Sequence, residues 1–124
     1  MGSTKDCPFC EVHEPVISNQ LAYVTYDSYP VSNGHLLIIP VRHVADYFDM
    51  TPAEQTAVME LVGQGKALLD QKLKPDGYNV GINSGSAAGQ TVMHAHVHLI
   101  PRYRGDTDDP RGGVRAVIPE KQKY

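Results

Sequence analysis

The stretch His94-Ala95-His96-Val97-His98-Leu99-Ile100 sets three histidines on alternate positions of an otherwise apolar run. In a β-strand successive side chains point to opposite faces, so His94, His96 and His98 share one face and Ala95, Val97 and Leu99 the other. A helix would scatter the same imidazoles around its axis, so period two is the reading that gives the pattern a purpose. One face is then core, and the other carries three of the chain's six histidines.

Just upstream, Asn83-Ser84-Gly85-Ser86-Ala87-Ala88-Gly89-Gln90-Thr91 leads into this strand with two glycines and little side-chain bulk. Such a loop can turn backbone N–H groups toward an anion. Gly89-Gln90-Thr91 resembles the end of a P-loop, but glutamine stands where lysine is needed and only three residues separate the glycines, which argues against a Walker-type site. A solvated hairpin loop is the plain alternative for the loop alone; its place beside the histidine face favours phosphate.

Further out, residues 78–82 read as a strand after the turn Pro75-Asp76-Gly77, and residues 21–26 and 35–39 as two more, the second buried and ended by Pro40. Thr51-Pro52-Ala53-Glu54 combines a capping-box pair with proline at the first helical position, opening a helix that runs to about residue 73. Its apolar face is Val58, Leu61, Val62, Leu68 and Leu69. Gly63 and Gly65 each weaken the helix by about 1 kcal/mol relative to alanine, so close packing against a neighbour is their expected reason.

The 124 residues make one domain, with residues 1–6 expected to be flexible and 103–124 a C-terminal tail. A composition of 41% hydrophobic and 20% charged residues is globular, and a net charge of −3 gives no general affinity for nucleic acid. Any anion must therefore be held by a local site. The longest apolar run, residues 36–39, is too short to cross a membrane, and no signal peptide is legible. The expectation is a soluble, cytoplasmic protein with no nucleic-acid or membrane partner.

Together these motifs resemble the histidine triad family of nucleotide hydrolases and transferases. That family carries His-φ-His-φ-His-φ-φ, with φ apolar, and residues 94–100 fit it with Ala95 counted as apolar. The family's glycine-histidine pair opening an apolar strand is matched by Gly34-His35-Leu36-Leu37-Ile38-Ile39-Pro40, and Asn83, Gly89-Gln90-Thr91 and Pro101-Arg102 match as well. The resemblance implies an α+β fold with about five antiparallel strands, one long and one short helix, and two sheets joined in a homodimer. It also implies hydrolysis of nucleoside 5′-phosphoramidates or dinucleoside polyphosphates, releasing a nucleoside monophosphate such as AMP.

The chemistry agrees with that implication. A strand-held imidazole whose Nδ1–H is fixed by a carbonyl presents its Nε2 lone pair as a nucleophile toward phosphorus. His96, central on the face, is the expected nucleophile, forming a nucleotidyl-histidine that water then hydrolyses. His98 lies about 7 Å further along the strand and can donate to a phosphate oxygen or the leaving group. His35 orients the triad through a hydrogen bond, and Asn83, Gly89, Gln90 and Thr91 serve the phosphate without a catalytic metal. By resemblance, Asp27 takes the ribose hydroxyls. Asn83 and Thr91 can also simply satisfy the turn, Asp27 can begin one with Ser28, and His13 lies outside every motif as a surface residue.

Cys7-Pro8-Phe9-Cys10 is the second chemical feature. Two cysteines make no disulfide framework, and a thioredoxin-like site lacks the preceding strand it needs. Some histidine triad branches hold zinc with such a pair and two histidines, the first of the triad among them. The matching positions here are Cys7, Cys10, His43 and His94, a closed tetrahedral set and therefore a structural zinc. The alternative is two reduced cysteines packed as small hydrophobes.

In the tail, Arg102, Arg111 and Arg115 either meet the distal phosphates of a polyphosphate or pair with Asp106, Asp108 and Asp109, pairing being the default. Two other readings stay open: a metal-dependent hydrolase with zinc on His94, His96 and His98, and a non-catalytic nucleotide-binding regulator.

Overall fold

A computed structural model describes residues 6–12 and 14–124. The expectations for residues 1–5 and for His13 lie outside them. Five strands form one antiparallel sheet in the order β1-β2-β3-β5-β4, where β1 is Ile17–Ser18, β2 Ala22–Tyr26, β3 Leu36–Pro40, β4 Gly77–Ile82 and β5 Val97–Arg102. The short β1, pairing Ile17 with Val24, was not legible in the sequence because two residues carry no periodicity.

The helix α1, Pro52–Lys72, starts as the sequence dictates: Thr51 Oγ1 accepts from the Glu54 N–H and the Glu54 carboxylate accepts from the Thr51 N–H. It buries Ala57, Val58, Leu61, Gly65 and Leu69 against one face of the sheet, meeting Val24, Leu36, Ile38, Val97 and Leu99. Truncating one of these leucines to alanine costs about 2–5 kcal/mol. Leu68 is only half-buried and lies outside this core. A Cβ on Gly65 would stand 3.1 Å from Leu36 Cδ1 and 3.2 Å from Leu99 Cδ2, so this glycine lets helix and sheet approach; Gly63 faces open space and has no such reason. Among the described residues α1 is the one α-helix; the shorter helical pieces are 3-10 turns, among them Tyr47–Asp49, capped by Asp46.

The opposite face of the sheet carries Tyr23, Leu37 and Ile39, covered by Phe9 and Val12 from the N-terminal segment. Strand β3 is therefore buried along its whole length. Since Val97 and Leu99 point to the helix, His96 and His98 point to this second face, with His98 registered between Leu37 of β3 and Gly81 of β4. Gly34 has φ +95°, and a Cβ there would sit 2.6 Å from Leu73 Cδ1. Only glycine lets the chain turn past the helix end and deliver His35 into the sheet.

The tail folds into 3-10 turns at Gly113–Val117 and Pro119–Lys121, the first beside β4. Arg102, the last residue of β5, makes a two-point pair with Asp106 at 2.8 Å each, and in the tail Arg111 lies 3.8 Å from Asp109. Arg115 donates to the carbonyls of Lys121 and Gln122 and stacks over Tyr124. Among the described residues no helix is long and apolar enough to cross a membrane.

Candidate functional site

The strand face behaves as its periodicity requires from residue 95 onward, but His94 falls outside it. Residues 92–94 form a bend and β5 begins at Val97. The Ala95 N–H donates to the Val44 carbonyl at 2.7 Å, so the chain enters the sheet only after His94. The three imidazoles consequently stand in two different settings.

His96 is 9% exposed, and its Nδ1 lies 2.8 Å from the His94 carbonyl. A carbonyl only accepts, so Nδ1 carries the proton and Nε2 keeps its lone pair. His98 is set by a longer chain of donors. The Val31 N–H donates to His35 Nδ1 at 3.0 Å, which leaves the proton of a neutral His35 on Nε2. That Nε2–H then donates to His98 Nδ1 at 2.9 Å, so the proton of neutral His98 sits on Nε2. Burial, with the neighbouring His96 and His35 adding to it, pushes His98 down to about 4, while Asp27 opposes the shift. Burial likewise lowers His35 against the pull of Asp27. Both rings are therefore neutral near pH 7, as the tautomer chain assumes.

Asp27 Oδ2 lies 3.4 Å from His35 Nε2 and 4.0 Å from His98 Nδ1, while Oδ1 accepts from the Tyr29 N–H at 2.8 Å. Asp27, His35 and His98 bring three possible ligand atoms within 4.8 Å. A cation on His35 Nε2 would, however, force the proton onto Nδ1, against the Val31 N–H. This cluster is built as a hydrogen-bond network rather than a metal site.

The other cluster has the opposite logic. His94 Nε2 donates to the Pro40 carbonyl at 2.8 Å, leaving its Nδ1 lone pair free. That Nδ1 lies 3.3 Å from Cys7 Sγ and 3.6 Å from Cys10 Sγ, and His43 Nδ1 lies 3.1 Å from Cys10 Sγ. All four ligand atoms fall within 4.8 Å of one another. Tetrahedral zinc with ordinary Zn–S and Zn–N bonds separates sulfur from nitrogen by about 3.5 Å. Donor set, spacing and the His94 tautomer all fit a closed zinc site.

A cavity of about 430 Å³ opens over His96 and His98, lined by Phe9, Thr25 and Leu37 and by Asn83, Gly89 and Thr91. A second, of about 560 Å³, adjoins it across Asp27, Asn83 and His98 and continues over Ile100 to Val114 and Val117 of the tail. The loop of residues 83–91, which lines the first cavity, is more closed than its composition suggests. The N–H groups of Ala88 and Gln90 donate to the Gly85 carbonyl, that of Gly89 to the Ser86 carbonyl, and that of Gly85 to Gln90 Oε1. Gln90 also donates to the carbonyls of Ala45 and Val92, and Ser84 to Asp46. Its amide thus braces the loop, and the polar side chains left facing the cavity from this region are Asn83 and Thr91.

Two participants were not legible in the sequence. Val31 acts through its backbone N–H, which no residue type announces. Phe9, read only as a spacer between two cysteines, lies with its ring centroid 5.0 Å from that of His96. An aromatic residue inside an otherwise polar segment was the available signal.

Residues 12–105 match the HIT domain family. The chain is 36% identical over 108 residues to an uncharacterised HIT-like protein of Mycoplasma genitalium, covering 82% of this chain and 77% of that one. The AP-4-A phosphorylase of Mycobacterium tuberculosis is 34% identical over 94 residues, 75% of this chain but only 48% of that protein. Among solved structures, a Zn-bound histidine triad family protein from Mycobacterium smegmatis superposes with a TM-score of 0.71 at 34% identity, covering 85% of this chain and 81% of that one. The chain belongs to the HIT family, the histidine triad proteins.

Proposed function

We propose that this protein hydrolyses nucleoside 5′-phosphoramidates or dinucleoside polyphosphates by way of a nucleotidyl-His96 intermediate, releasing a nucleoside monophosphate such as AMP. The observation that carries the reading is the His96 tautomer: with Nδ1–H held by the His94 carbonyl, the Nε2 lone pair is available at a cavity of nucleotide size. Nε2 attacks the α-phosphorus and the bond to the leaving group breaks with its electron pair; neutral His98 donates a hydrogen bond from Nε2 to the leaving atom, which takes its proton from solvent. Water then attacks the adduct and loses its proton to solvent, and the P–N bond breaks with its electron pair returning to His96 Nε2. Asn83 and Thr91 hold phosphate oxygens, Gln90 and Gly89 keep the loop in shape, Asp27 faces the ribose, and His35 holds His98.

In-line displacement needs the leaving group opposite His96, and the reading puts it in the second cavity, which shares Asp27, Asn83 and His98 with the first. Among the described residues that second cavity is lined by no lysine or arginine, which favours a weakly charged leaving group such as an amine. The name of the mycobacterial relative favours a polyphosphate. A structural zinc on Cys7, Cys10, His43 and His94 and a homodimer complete the reading; the edge strand β4, with Val80 exposed, supports the latter. Zinc shared by His94, His96 and His98 is disfavoured because the His94 lone pair faces the thiols and His98 Nδ1 faces His35.

The test is turnover of an adenosine phosphoramidate and a diadenosine polyphosphate by the intact protein and His96→Ala, with and without chelator. Turnover that His96→Ala abolishes and that the chelator leaves in the folded protein supports the mechanism, and the faster substrate chooses the leaving group. Activity surviving His96→Ala overturns it, and AMP binding without turnover of either substrate favours the regulator.

A further inference from the structure

The two residues between the zinc-type cysteines, Pro8 and Phe9, line the same cavity as His96. The Phe9 ring lies edge-on to His96, at 66° and 5.0 Å, and 6.1 Å from His94. Among the described residues few contacts hold this segment. Phe9 and Val12 pack on Tyr23, Leu37 and Ile39, the Tyr23 hydroxyl donates to the Phe9 carbonyl, and both cysteines meet the His43 and His94 rings. The nucleophile is anchored differently. His94 is held through its ring on the Pro40 carbonyl, and Ala95 through its N–H on the Val44 carbonyl, both inside the body of the domain. A segment outside the sheet and the helix keeps its place only where it is tied down.

From this division we infer that the Cys7–Cys10 knuckle is a positioning element for the nucleotide pocket: a metal held by Cys7, Cys10, His43 and His94 fixes Phe9 as its wall, so metal content sets nucleotide affinity. This rests on the nucleotide reading above. Losing the metal leaves two thiols with weak S–H···N contacts and frees Phe9 from the pocket, while the carbonyls that orient His94 and His96 stay in place. The effect falls on binding of nucleotide and on KM, with kcat largely kept. Losing an aromatic wall corresponds to about a tenfold fall in affinity.

The experiment is a thermodynamic cycle on the full chain, with AMP as probe. AMP affinity is measured by calorimetry for zinc-loaded and metal-free protein, wild type and Phe9→Ala, with metal content determined on each sample and folding checked by circular dichroism. The expected result is about a tenfold weaker Kd on metal removal in the wild type, a similar loss in loaded Phe9→Ala, and no further loss when Phe9→Ala is stripped. Unchanged affinity in folded metal-free wild type overturns the inference, as does an equal effect of stripping on both proteins, and so does a wild type that takes up no zinc. Failure of AMP to bind the loaded wild type instead removes the nucleotide reading itself. Should the metal-free chain not fold, equilibrium competition with a chromophoric chelator replaces the stripped arm. Linkage requires AMP to tighten zinc by the same factor in the wild type and not in Phe9→Ala, and equal zinc affinity with and without AMP overturns the inference.

Discussion

His35 Nε2 stands 2.9 Å from His98 Nδ1, and this one contact decides which nitrogen of His98 faces the cavity. Without it His98 can carry its proton on either nitrogen and turn about its χ angles. His35→Ala is expected to lower kcat by about 10- to 100-fold, while AMP affinity changes little. Steady-state kinetics on the faster substrate, with AMP binding measured in parallel, checks this; a loss confined to KM would mean that His35 shapes the pocket instead.

The same neighbourhood makes a prediction for pH. His98 is pushed down to about 4 chiefly by burial, with His96 and His35 adding to it and Asp27 opposing. Between the ordinary histidine value near 6.5 and about 4, the unfolded chain takes up a proton that folded His98 refuses, so this residue's contribution to stability is full above that window and falls as the pH drops through it. In a histidine-resolved NMR titration His98 should titrate near 4, and in Asp27→Asn lower still. A His98 titration near 6.5 would contradict the burial assigned to it.

A second pH window belongs to the helix start. Arg42 donates to both oxygens of Glu54 at 2.8 and 2.9 Å, and with the Thr51 N–H this holds the buried carboxyl down at about 2. Stability from this group is present above about 4.5, the ordinary value, and lost as the pH falls toward 2. Glu54→Gln should cost about 1–2 kcal/mol at pH 7 and flatten the acid limb of stability, read by urea denaturation at several pH values.

Two glycines in one helix should respond in opposite directions. Gly63 meets nothing within 4 Å, so Gly63→Ala should stabilise by up to about 1 kcal/mol. At Gly65 the added methyl would press on Leu36 and Leu99, and overpacking outweighs the propensity gain, for a net loss of about 1 kcal/mol. Denaturation midpoints of both variants check the pair, and an equal gain at both sites would show that the helix can lift from the sheet.

Residue types with fixed periodicity or fixed local chemistry made much of this legible from sequence. Thr51, Pro52 and Glu54 set the helix start, Val97 and Leu99 the core side of β5, and Cys7, Cys10, His43 and His94 were grouped by resemblance and stand together in space. The failures share a cause. Where a role is set by what the backbone does in three dimensions, residue identity is silent: His94 leaves the strand pattern because residues 92–94 bend, and Gln90 turns inward because the loop closes on itself. The five-strand count came from resemblance, since β1 is too short to show a pattern.

Three main-chain groups, the N–H of Val31 and the carbonyls of Pro40 and His94, dictate the proton positions of four histidines. A survey of side-chain replacements would pass over them. Val31 is 72% exposed, and alanine or serine there keeps the donor, so the position would score as freely variable. Proline alone among the natural residues deletes that N–H. Tolerance at position 31 should therefore be broad with a single sharp exception, a signature that reports on the imidazole chain without touching any histidine.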